Sequence, residues 1–530
     1  MKIALSLSGG GYRAATYHLG TLSYLNHLHL KDGSPLLDHV SAVSTISGGT
    51  LTGLWLILSK ARGWSNHEML KRLYQILMEG DVIGHASRSF FSAKNPNESL
   101  IREMVKIYNE DIFEGATLGD LMDKMDAISI DDLSANATEF TRAIEFRFQV
   151  GKKVKTDKNG VSRGLIGNAK YSLPDAVARE ILLAEVFAAS SCFPGGFEPL
   201  FFPRDFQVSQ KPECAELLAK KPEVALMDGG VVDNQGIEPI NLIRDRRDID
   251  LYVISDAGCG KDVNYAFEPT NVLSGLTIHK TNVCLNIAIL LLASFLLWVP
   301  QGFWFGLCTG LTAVALAARV STALISRKLL KKYSKKIPFD FNWKWLLKIP
   351  FSKYINILLS RATSMLTLTD DVFMKHIRSL NYDTIYEDPR WENRRIMNAL
   401  YELGTGQNWT KHLKPTKDDK DEIIIKVKEQ RVQQMTPSEK IIINSDNSTS
   451  MATTLWWSDA DRKLGKPESL IAAGQYNICW NLLEYIYRLP LDKNNLNENH
   501  ELLIELQHQL EEDWTKFKDN PHWMLDELKL

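Results

Sequence analysis

The sequence predicts an α/β fold, because apolar strands run directly into glycine-rich turns that open onto helices. The first such unit is a strand at residues 2–7, a run of three glycines, and a helix at about residues 12–28. The second is a β-branched strand at Val40–Ile46, a Ser-Gly-Gly turn at residues 47–49, and an apolar helix. Alternation of this kind is typical of a sheet covered by helices.

Ser47 stands at the corner of the second unit, where a nucleophile elbow carries its serine. Such a corner lifts the hydroxyl out of the sheet, and the N-terminus of the next helix faces a developing oxyanion. The usual pattern is G-x-S-x-G, and Thr45 takes the place of its first glycine here. The alternative is a plain Ser-Gly-Gly turn that joins a strand to a helix.

The glycine-rich loop at residues 8–13 reads Ser-Gly-Gly-Gly-Tyr-Arg. It is not a Walker A loop, because no Gly-Lys-Ser/Thr follows, and Ala14 excludes G-x-G-x-x-G. A loop of this kind can supply the backbone donors of an oxyanion hole from a segment separate from the nucleophile. The alternative is a structural turn.

Asp228 ends an apolar strand at residues 224–227 and is followed by Gly229 and Gly230. An aspartate can act as a general base when a dry site raises its pKa and places it within hydrogen-bonding reach of the hydroxyl. Asp228 is therefore the predicted partner of Ser47. The alternative is an ordinary Asp-Gly turn.

Composition excludes several classes of protein. A chain of 530 residues is too long for one ordinary core, and a net charge of -2 does not favour nucleic acid as a partner. Six scattered cysteines without a C-x-x-C pair argue against a disulfide scaffold or a zinc site and for a reducing compartment. The apolar stretch at residues 1–7 is too short and too strand-like for a signal peptide. We expect no metal or cofactor, and catalysis in the cytoplasm or at the cytoplasmic face of a membrane.

An uncharged run at residues 281–318 is long enough for about two membrane crossings. Pro-Gln-Gly at residues 300–302 divides it into halves at 281–299 and 303–318, and the second half reaches residue 325 if Arg319 snorkels. The aromatic residues at the turn suit the far interface of a membrane hairpin. They are Trp298, Phe303, Trp304 and Phe305.

Basic residues flank this run on both sides, which predicts that both ends are cytoplasmic. They are His279, Lys280, Arg319, Arg327, Lys328, Lys331, Lys332, Lys335 and Lys336. The alternatives are a buried hairpin that covers an acyl pocket, or a re-entrant loop. A basic, aromatic surface helix is predicted shortly afterwards, at Trp343, Trp345, Leu346, Leu347 and Lys348.

Taken together, the motifs resemble those of patatin-like phospholipases. The glycine loop at residues 8–13 resembles their oxyanion motif, residues 47–49 their elbow, and residues 228–230 their Asp-Gly-Gly motif. Residues 188–194 are similar to the family's Ala-Ser...Pro block, and residues 453–476 to its closing segment. The resemblance covers roughly residues 1–256 and part of the C-terminal third.

The resemblance implies a three-layer α/β sandwich with a central, mainly parallel sheet, and here an inserted transmembrane hairpin. It also implies a catalytic dyad of Ser47 and Asp228 rather than a triad, so His18 is expected to serve packing. The implied reaction is hydrolysis of fatty-acyl esters in membrane phospholipids or lysophospholipids. The residues expected at the oxyanion hole are Gly9, Gly10, Gly11, Gly48 and Arg13.

The predicted domains are a catalytic core at 1–265, the hairpin at 281–326, a C-terminal part of the patatin-like domain with extra helices at 337–490, and terminal helices at 491–530. A charged linker at 411–422 precedes a predicted strand at 423–427. Two other functions stay open: an inactive membrane-bound signalling or binding module, and a lipid acyltransferase. The sequence does not define an oligomeric state.

Overall fold

The computed structural model describes residues 1–80, 99–152, 154–155, 161–162, 166–244, 247–258, 265–334, 348–417, 419–489 and 498–529. The chain divides into two compact units. The first unit is Met1–Asp262 together with Val372–Leu530, and the second is Val263–Asp371.

The strands among the described residues all belong to the first unit. They are β1 (Ile3–Leu7), β2 (Val40–Ile46), β3 (Asp132–Glu139), β4 (Ile144–Gly151), β5 (Val154–Lys155), β6 (Val161–Ser162), β7 (Ile166–Asn168), β8 (Tyr171–Ser172), β9 (Leu200–Phe202), β10 (Val224–Asp228), β11 (Leu251–Asp256) and β12 (Arg395–Ala399). β5 and β6 pair only with each other.

The N-terminal part of the first unit contains the helices α1 (Gly11–His27), α2 (Gly48–Ala61), α3 (Asn66–Glu79), α4 (Leu100–Ile107), α5 (Leu118–Lys124), α6 (Asp175–Ala178), α7 (Leu183–Ser191), α8 (Pro212–Leu218), α9 (Gly230–Asp233) and α10 (Ile237–Arg244). The second unit contains α11 (Ile278–Leu296), α12 (Phe303–Ser334) and α13 (Phe351–Thr367). The helices that follow are α14 (Met374–Glu387), α15 (Glu422–Met435), α16 (Glu439–Ser450), α17 (Asp459–Lys463), α18 (Lys466–Arg488), α19 (Glu498–Ile504), α20 (Gln507–Asp519) and α21 (Asp526–Lys529).

The main sheet is mixed and has a parallel centre. Its order is β12-β11-β1-β2-β3-β4-β7-β8, with β10 paired to β3 and to β9. The pairs from β12 to β3 are parallel, and the pairs beyond β3 are antiparallel. Because the ends of parallel strands gather at one edge, the loops after β1 and β2 open on the same side.

Helices cover both faces of this sheet, so the predicted three-layer α/β sandwich is confirmed. On β1, Leu5 belongs to the larger core cluster, which also holds side chains of α1, α2 and α18. Its neighbour Ala4 faces the opposite way, into a smaller cluster with Ile240 of α10 and Ile385 of α14. Alternation of side chains along a strand produces this division.

The C-terminal part of the chain completes the core through contact between α1 and α18. The two helices cross where each carries a glycine. A Cβ on Gly20 would lie 2.1 Å from the Ile471 carbonyl oxygen, and one on Gly474 would lie 2.1 Å from the Tyr17 carbonyl oxygen. Backbones approach this closely only where side chains are absent, so both glycines are required by packing.

The two apolar helices α11 and α12 pack side by side in antiparallel order. The Arg319 Nε donates to Asn286 Oδ1 at 3.1 Å, and the Thr322 hydroxyl donates to Asn282 Oδ1 at 2.9 Å. Ile278–Leu296 and Phe303–Leu324 are each long and apolar enough to cross a membrane. Their apolar side chains are largely exposed, and Trp298 at the turn is 86% exposed.

One predicted element is wrong, and another cannot be placed. Residues 423–427 are not a strand but the first turns of α15, whose start is capped by Asp421 accepting from the Ile423 N–H at 2.8 Å. The β-branched run suggested a strand, but an N-cap and the helix-favouring residues that follow it decide the structure. Trp343, Trp345, Leu346 and Leu347 of the predicted surface helix lie outside the described residues, as do Lys335 and Lys336.

We predict that Gly474→Ala lowers the free energy of unfolding by about 1–3 kcal/mol, the usual cost of overpacking. The new methyl group would force α1 and α18 apart. Chemical denaturation of the purified protein in detergent measures the change. Gly196→Ala is the control, because its Cβ would meet nothing closer than 3.7 Å. Equal stability of the two variants would contradict the assigned packing.

Candidate active site

Ser47 occupies a strained corner between β2 and α2. Its backbone has φ 50 and ψ -120, a left-handed conformation that residues other than glycine rarely adopt. Although Ser47 is the N-cap residue of α2, its side chain makes no capping hydrogen bond, so its hydroxyl is not engaged by the first turn of the helix. Strain of this kind persists where the surrounding structure holds it, and it is the geometry of a nucleophile elbow.

The absence of the elbow's first glycine is compensated on the neighbouring helix. Thr45 stands at that position, and Gly53 of α2 lies directly against it. A Cβ on Gly53 would be only 2.2 Å from Thr45 Cγ2. The Thr50 hydroxyl also donates to Thr45 Oγ1 at 3.0 Å. The space that a glycine normally supplies on the strand is therefore supplied on the helix.

The elbow packs tightly against the glycine-rich loop that follows β1. A Cβ on Gly48 would lie 1.9 Å from the Gly11 carbonyl oxygen, and one on Gly49 would lie 2.2 Å from the Leu7 carbonyl oxygen. Neither position tolerates a side chain without movement of the backbone. These contacts bring two of the sequence motifs together.

Asp228 reaches the same place from the opposite direction. β2 pairs with β3 so that Ile46 lies opposite Asn136, and β10 pairs with β3 so that Asp228 lies opposite Ala137. β4 occupies the other edge of β3 along its whole length. β2 and β10 therefore share one edge of β3 and meet there end to end, with Ser47 and Asp228 at the junction.

Ser190 of α7 ties the two strand ends to each other. Its hydroxyl accepts from the Ser47 N–H at 2.9 Å and donates to the Asn136 carbonyl at 2.6 Å. Its own carbonyl accepts from the Gly229 N–H at 3.2 Å. Ser190 lies in the segment 188–194 that the sequence singled out, although its bridging role was not predicted.

The Asp228 carboxylate is oriented by its own turn. Its Oδ1 accepts from the Gly230 N–H at 2.7 Å, and its backbone carbonyl accepts from the Thr138 hydroxyl at 2.9 Å. The residue is buried. Burial and the nearby Asp228 charge together raise the pKa of the Cys192 thiol, so this cysteine is not a reactive thiolate.

The members of the glycine loop have different partners. The Gly9 N–H already donates to the Asn234 carbonyl at 3.0 Å. Among the residues that the structure describes, the N–H groups of Gly10, Gly11 and Gly48 have no acceptor within hydrogen-bonding distance. Gly10 has φ 139 and Gly11 has φ 62, so both depend on the freedom of glycine. Three backbone donors are thus unengaged beside Ser47.

Arg13 and Tyr12 attach this loop to the C-terminal part of the chain. The Arg13 guanidinium donates to the Met451 carbonyl at 2.7 Å, and the Tyr12 N–H donates to the Thr454 carbonyl at 2.7 Å. A Cβ on Gly11 would meet the Thr454 carbonyl oxygen at 2.2 Å. The segment around residues 453–476, which the sequence singled out, therefore supports the loop directly.

Asn234 was not predicted from the sequence, yet it lies between the two motifs. A Cβ on Gly9 would be 2.4 Å from Asn234 Oδ1 and 3.3 Å from Ser47 Cβ. A Cβ on Gly230 would be 2.6 Å from the same oxygen and 3.0 Å from Asp228 Oδ1. The side-chain amide of Asn234 therefore lies between the glycine loop and the turn that follows Asp228. The only signal in the sequence is its place six residues after Asp228.

His18 is buried and contacts the residue that begins the glycine loop. This position agrees with the packing role expected for it. Its two ring nitrogens contact Ser255 Oγ at 2.9 Å and the Ser8 carbonyl oxygen at 3.0 Å. Burial lowers the pKa of His18 to about 4, so the ring is neutral near pH 7.

Two other buried carboxylates nearby have structural partners. Burial alone would raise the pKa of Asp256, but the Arg378 guanidinium at 3.1 Å and the Tyr382 hydroxyl hold it below its usual value. Burial raises the pKa of Asp233 to about 6, and Asp233 accepts from the Gly236 N–H at 2.9 Å and from other backbone donors. Among the described residues, no group of three or more His, Cys, Asp or Glu side chains could hold a metal ion.

A serine on a strained strand-to-helix corner, beside a glycine-rich loop with unengaged N–H groups, is the arrangement of acyl hydrolases that use a nucleophile elbow. Within that class, the patatin-like phospholipase family matches residues 5–240, which include Ser47, Asp228 and the glycine loop. This part of the chain belongs to that family of lipid acyl hydrolases. No curated protein matches the chain.

We predict that His18 makes stability depend on pH below neutrality. Its folded pKa is about 4 and its ordinary value is 6.5, so only the unfolded chain binds this proton between those values. The free energy of unfolding should therefore fall as the pH drops from 6.5 towards 4. His18→Gln should flatten this slope, whereas His508→Gln, at an exposed position, should not. Unfolding curves measured across this pH range would contradict the account if both variants kept the wild-type slope.

Proposed function

We propose that this protein is a phospholipase A or lysophospholipase that cleaves fatty-acyl esters of membrane phospholipids with Ser47 and Asp228. The observation that carries the proposal is the junction of β2 and β10 on one edge of β3, which supplies a serine from one strand end and a carboxylate from the other. A Ser-Asp pair can act without histidine when the carboxylate itself takes the serine proton.

In the first half of the reaction, Ser47 Oγ attacks the ester carbonyl carbon while Asp228 accepts the proton of the Ser47 hydroxyl. The tetrahedral intermediate places its negative charge near the helix α2 N-terminus and the glycine loop. When the intermediate collapses, the proton held by Asp228 passes to the departing lysolipid or glycerol oxygen. Ser47 is left as an acyl ester.

In the second half, water replaces the lipid alcohol. Asp228 takes a proton from the water molecule as its oxygen attacks the acyl ester carbonyl. Collapse of the second intermediate releases the fatty acid and returns the proton to Ser47. Asp228 therefore acts as base and then acid in each half of the reaction, which requires that its carboxylate stay oriented as the Gly230 N–H holds it.

The assignment of the oxyanion donors follows from which N–H groups are unengaged. Gly10, Gly11 and Gly48 supply the donors, whereas Gly9 uses its N–H to hold the loop against Asn234. Arg13 acts indirectly by bracing the loop against Met451. Each donor to a developing oxyanion contributes roughly 3 kcal/mol in comparable sites.

The hairpin of α11 and α12 is proposed to cross the membrane and to hold the catalytic unit at its substrate. Both helices expose their apolar side chains, which a buried cover for an acyl pocket would not do. The hydrogen bond between Arg319 and Asn286 gives the one charged side chain inside the second span a partner. Basic residues at both ends and aromatic residues at the turn favour a cytoplasmic catalytic unit.

We predict that Ser47→Ala and Asp228→Ala each reduce turnover by about 10⁴-fold or more and that the double variant loses no more, because the two groups act as one unit. The readout is the release of fatty acid from mixed phospholipid vesicles, measured by mass spectrometry. Ser59→Ala, which removes a buried hydroxyl elsewhere on α2, is the control and should keep its activity.

Near-normal turnover of either variant, with an unchanged unfolding curve, would refute the dyad. The product spectrum also distinguishes the alternatives. An acyltransferase would form new acylated lipid when a lipid alcohol is present, and an inactive module would form no product in the wild type.

We predict that the full-length protein stays with membranes through high-salt and alkaline washes and leaves only with detergent. High salt removes proteins that are held by surface charge, because it shortens the distance over which charges attract each other to less than about 10 Å. Replacement of residues 281–325 by a short polar linker should yield protein that still hydrolyses dispersed short-chain esters. Its turnover on bilayers should fall, because anchoring raises the effective substrate concentration. Release of the intact chain by salt alone would refute the anchor.

A further inference from the structure

Helix α13, in the same unit as the hairpin, is divided lengthwise into an apolar half and a polar half. Apolar residues recur at spacings of three and four: Tyr354, Ile355, Leu358, Ala362, Met365 and Leu366. The opposite half carries short polar residues: Ser352, Asn356, Ser360, Thr363 and Thr367. This is an amphipathic helix, whose apolar half normally faces a protein core.

Here the orientation is reversed, because the polar half contacts the protein. Asn356 Oδ1 accepts from the Thr270 N–H at 2.8 Å, and its amide donates back to the Thr270 carbonyl at 3.0 Å. Tyr265 donates its hydroxyl to the Ser360 carbonyl at 3.1 Å. The apolar half faces outwards, with Leu358 and Met365 each 70% exposed. Such a face in water would be unfavourable, so it needs a partner.

The position of the first turn of α13 indicates what that partner is. The Phe351 N–H donates to the Leu276 carbonyl at 2.9 Å, and Pro350 pairs with Thr277. Thr277 is the N-cap of α11, so the first span and α13 start beside each other. A spanning helix begins at the headgroup layer, and α13 therefore starts at that level as well.

The charges on α13 favour a lipid surface over a second protein. Lys353 and Arg361 are exposed and no acidic residue stands among residues 351–367. Arg361 follows Leu358 by three residues and precedes Met365 by four, so it stands beside the apolar half, whereas Lys353 lies on the polar side. A long basic side chain beside an apolar face can extend to lipid phosphates while its stem stays in contact with the acyl chains.

We propose that α13 lies in the headgroup layer of a phospholipid membrane, with its apolar half inserted to the level of the first acyl carbons. The inference rests on the membrane-inserted hairpin of the proposed function and adds a second contact with the bilayer. With the hairpin alone, the unit that contains it could rotate about the membrane normal, whereas a second contact fixes how that unit lies on the bilayer.

The test compares two positions on opposite halves of α13 in the full-length protein. Met365→Cys and Ser364→Cys are prepared separately, with Cys259 and Cys284 replaced by serine, and each is labelled with an environment-sensitive fluorophore. Ser364 is the control, because it is exposed on the polar side. The labelled proteins are reconstituted into phosphatidylcholine–phosphatidylglycerol vesicles with and without lipids that carry a quencher near the headgroup.

The proposal requires that the Met365 probe shift to shorter wavelength and be quenched severalfold more strongly than the Ser364 probe. Equal emission and weak quenching at both positions, in protein that resists alkaline extraction, would overturn the inference while leaving the anchor intact. A blue-shifted Met365 probe that is insensitive to lipid quenchers but depends on protein density would assign the face to a second copy and also overturn it. Because no activity is measured, failure of the proposed hydrolase does not affect the result.

Discussion

The shared edge of β3 is the constraint on which the rest of the site depends. β4 pairs with every residue of β3 on one side, so β2 and β10 must divide the other side between them. The ends of β2 and β10 can meet only where β3 passes from Asn136 to Ala137. Ser47 follows the last residue of β2, and Asp228 is the last residue of β10, so both lie at this junction. A slip of one residue in either pairing would turn the end residue to the other face of the sheet. Ser190 opposes such a slip because it hydrogen-bonds to both strand ends.

Close backbone contacts extend this constraint outwards. Gly48 lies against Gly11, so the elbow positions the glycine loop, and Gly11 in turn lies against Thr454. Farther along α1, Gly20 meets Gly474 of α18. The family match ends at residue 240, yet the loop it contains is supported by residues more than two hundred positions later. The catalytic unit therefore includes the C-terminal part of the chain.

The positions of Ser47, Asp228 and the glycine loop at strand ends could be predicted because each combines an apolar strand with small residues in consecutive positions, whereas their catalytic roles stay a prediction. The compensation of Thr45 by Gly53 could not, because it depends on how α2 packs against β2. The bond from Gly9 to Asn234 joins segments far apart in sequence, so no local pattern reveals it. The helical start of residues 423–427 was missed because a β-branched run outweighed its N-cap. The reversed face of α13 likewise depends on contacts made by Asn356.

Covalent trapping of the nucleophile tests directly whether Ser47 is the attacking residue. A fluorophosphonate reacts with a serine that an adjacent base and an oxyanion hole activate. The protein is incubated with a long-chain fluorophosphonate, and intact mass and peptide mapping locate the adduct. If Ser47 is the nucleophile, one adduct forms, on Ser47, and ester hydrolysis is lost. An adduct on another serine, or hydrolysis that continues after Ser47 is fully modified, would contradict that assignment.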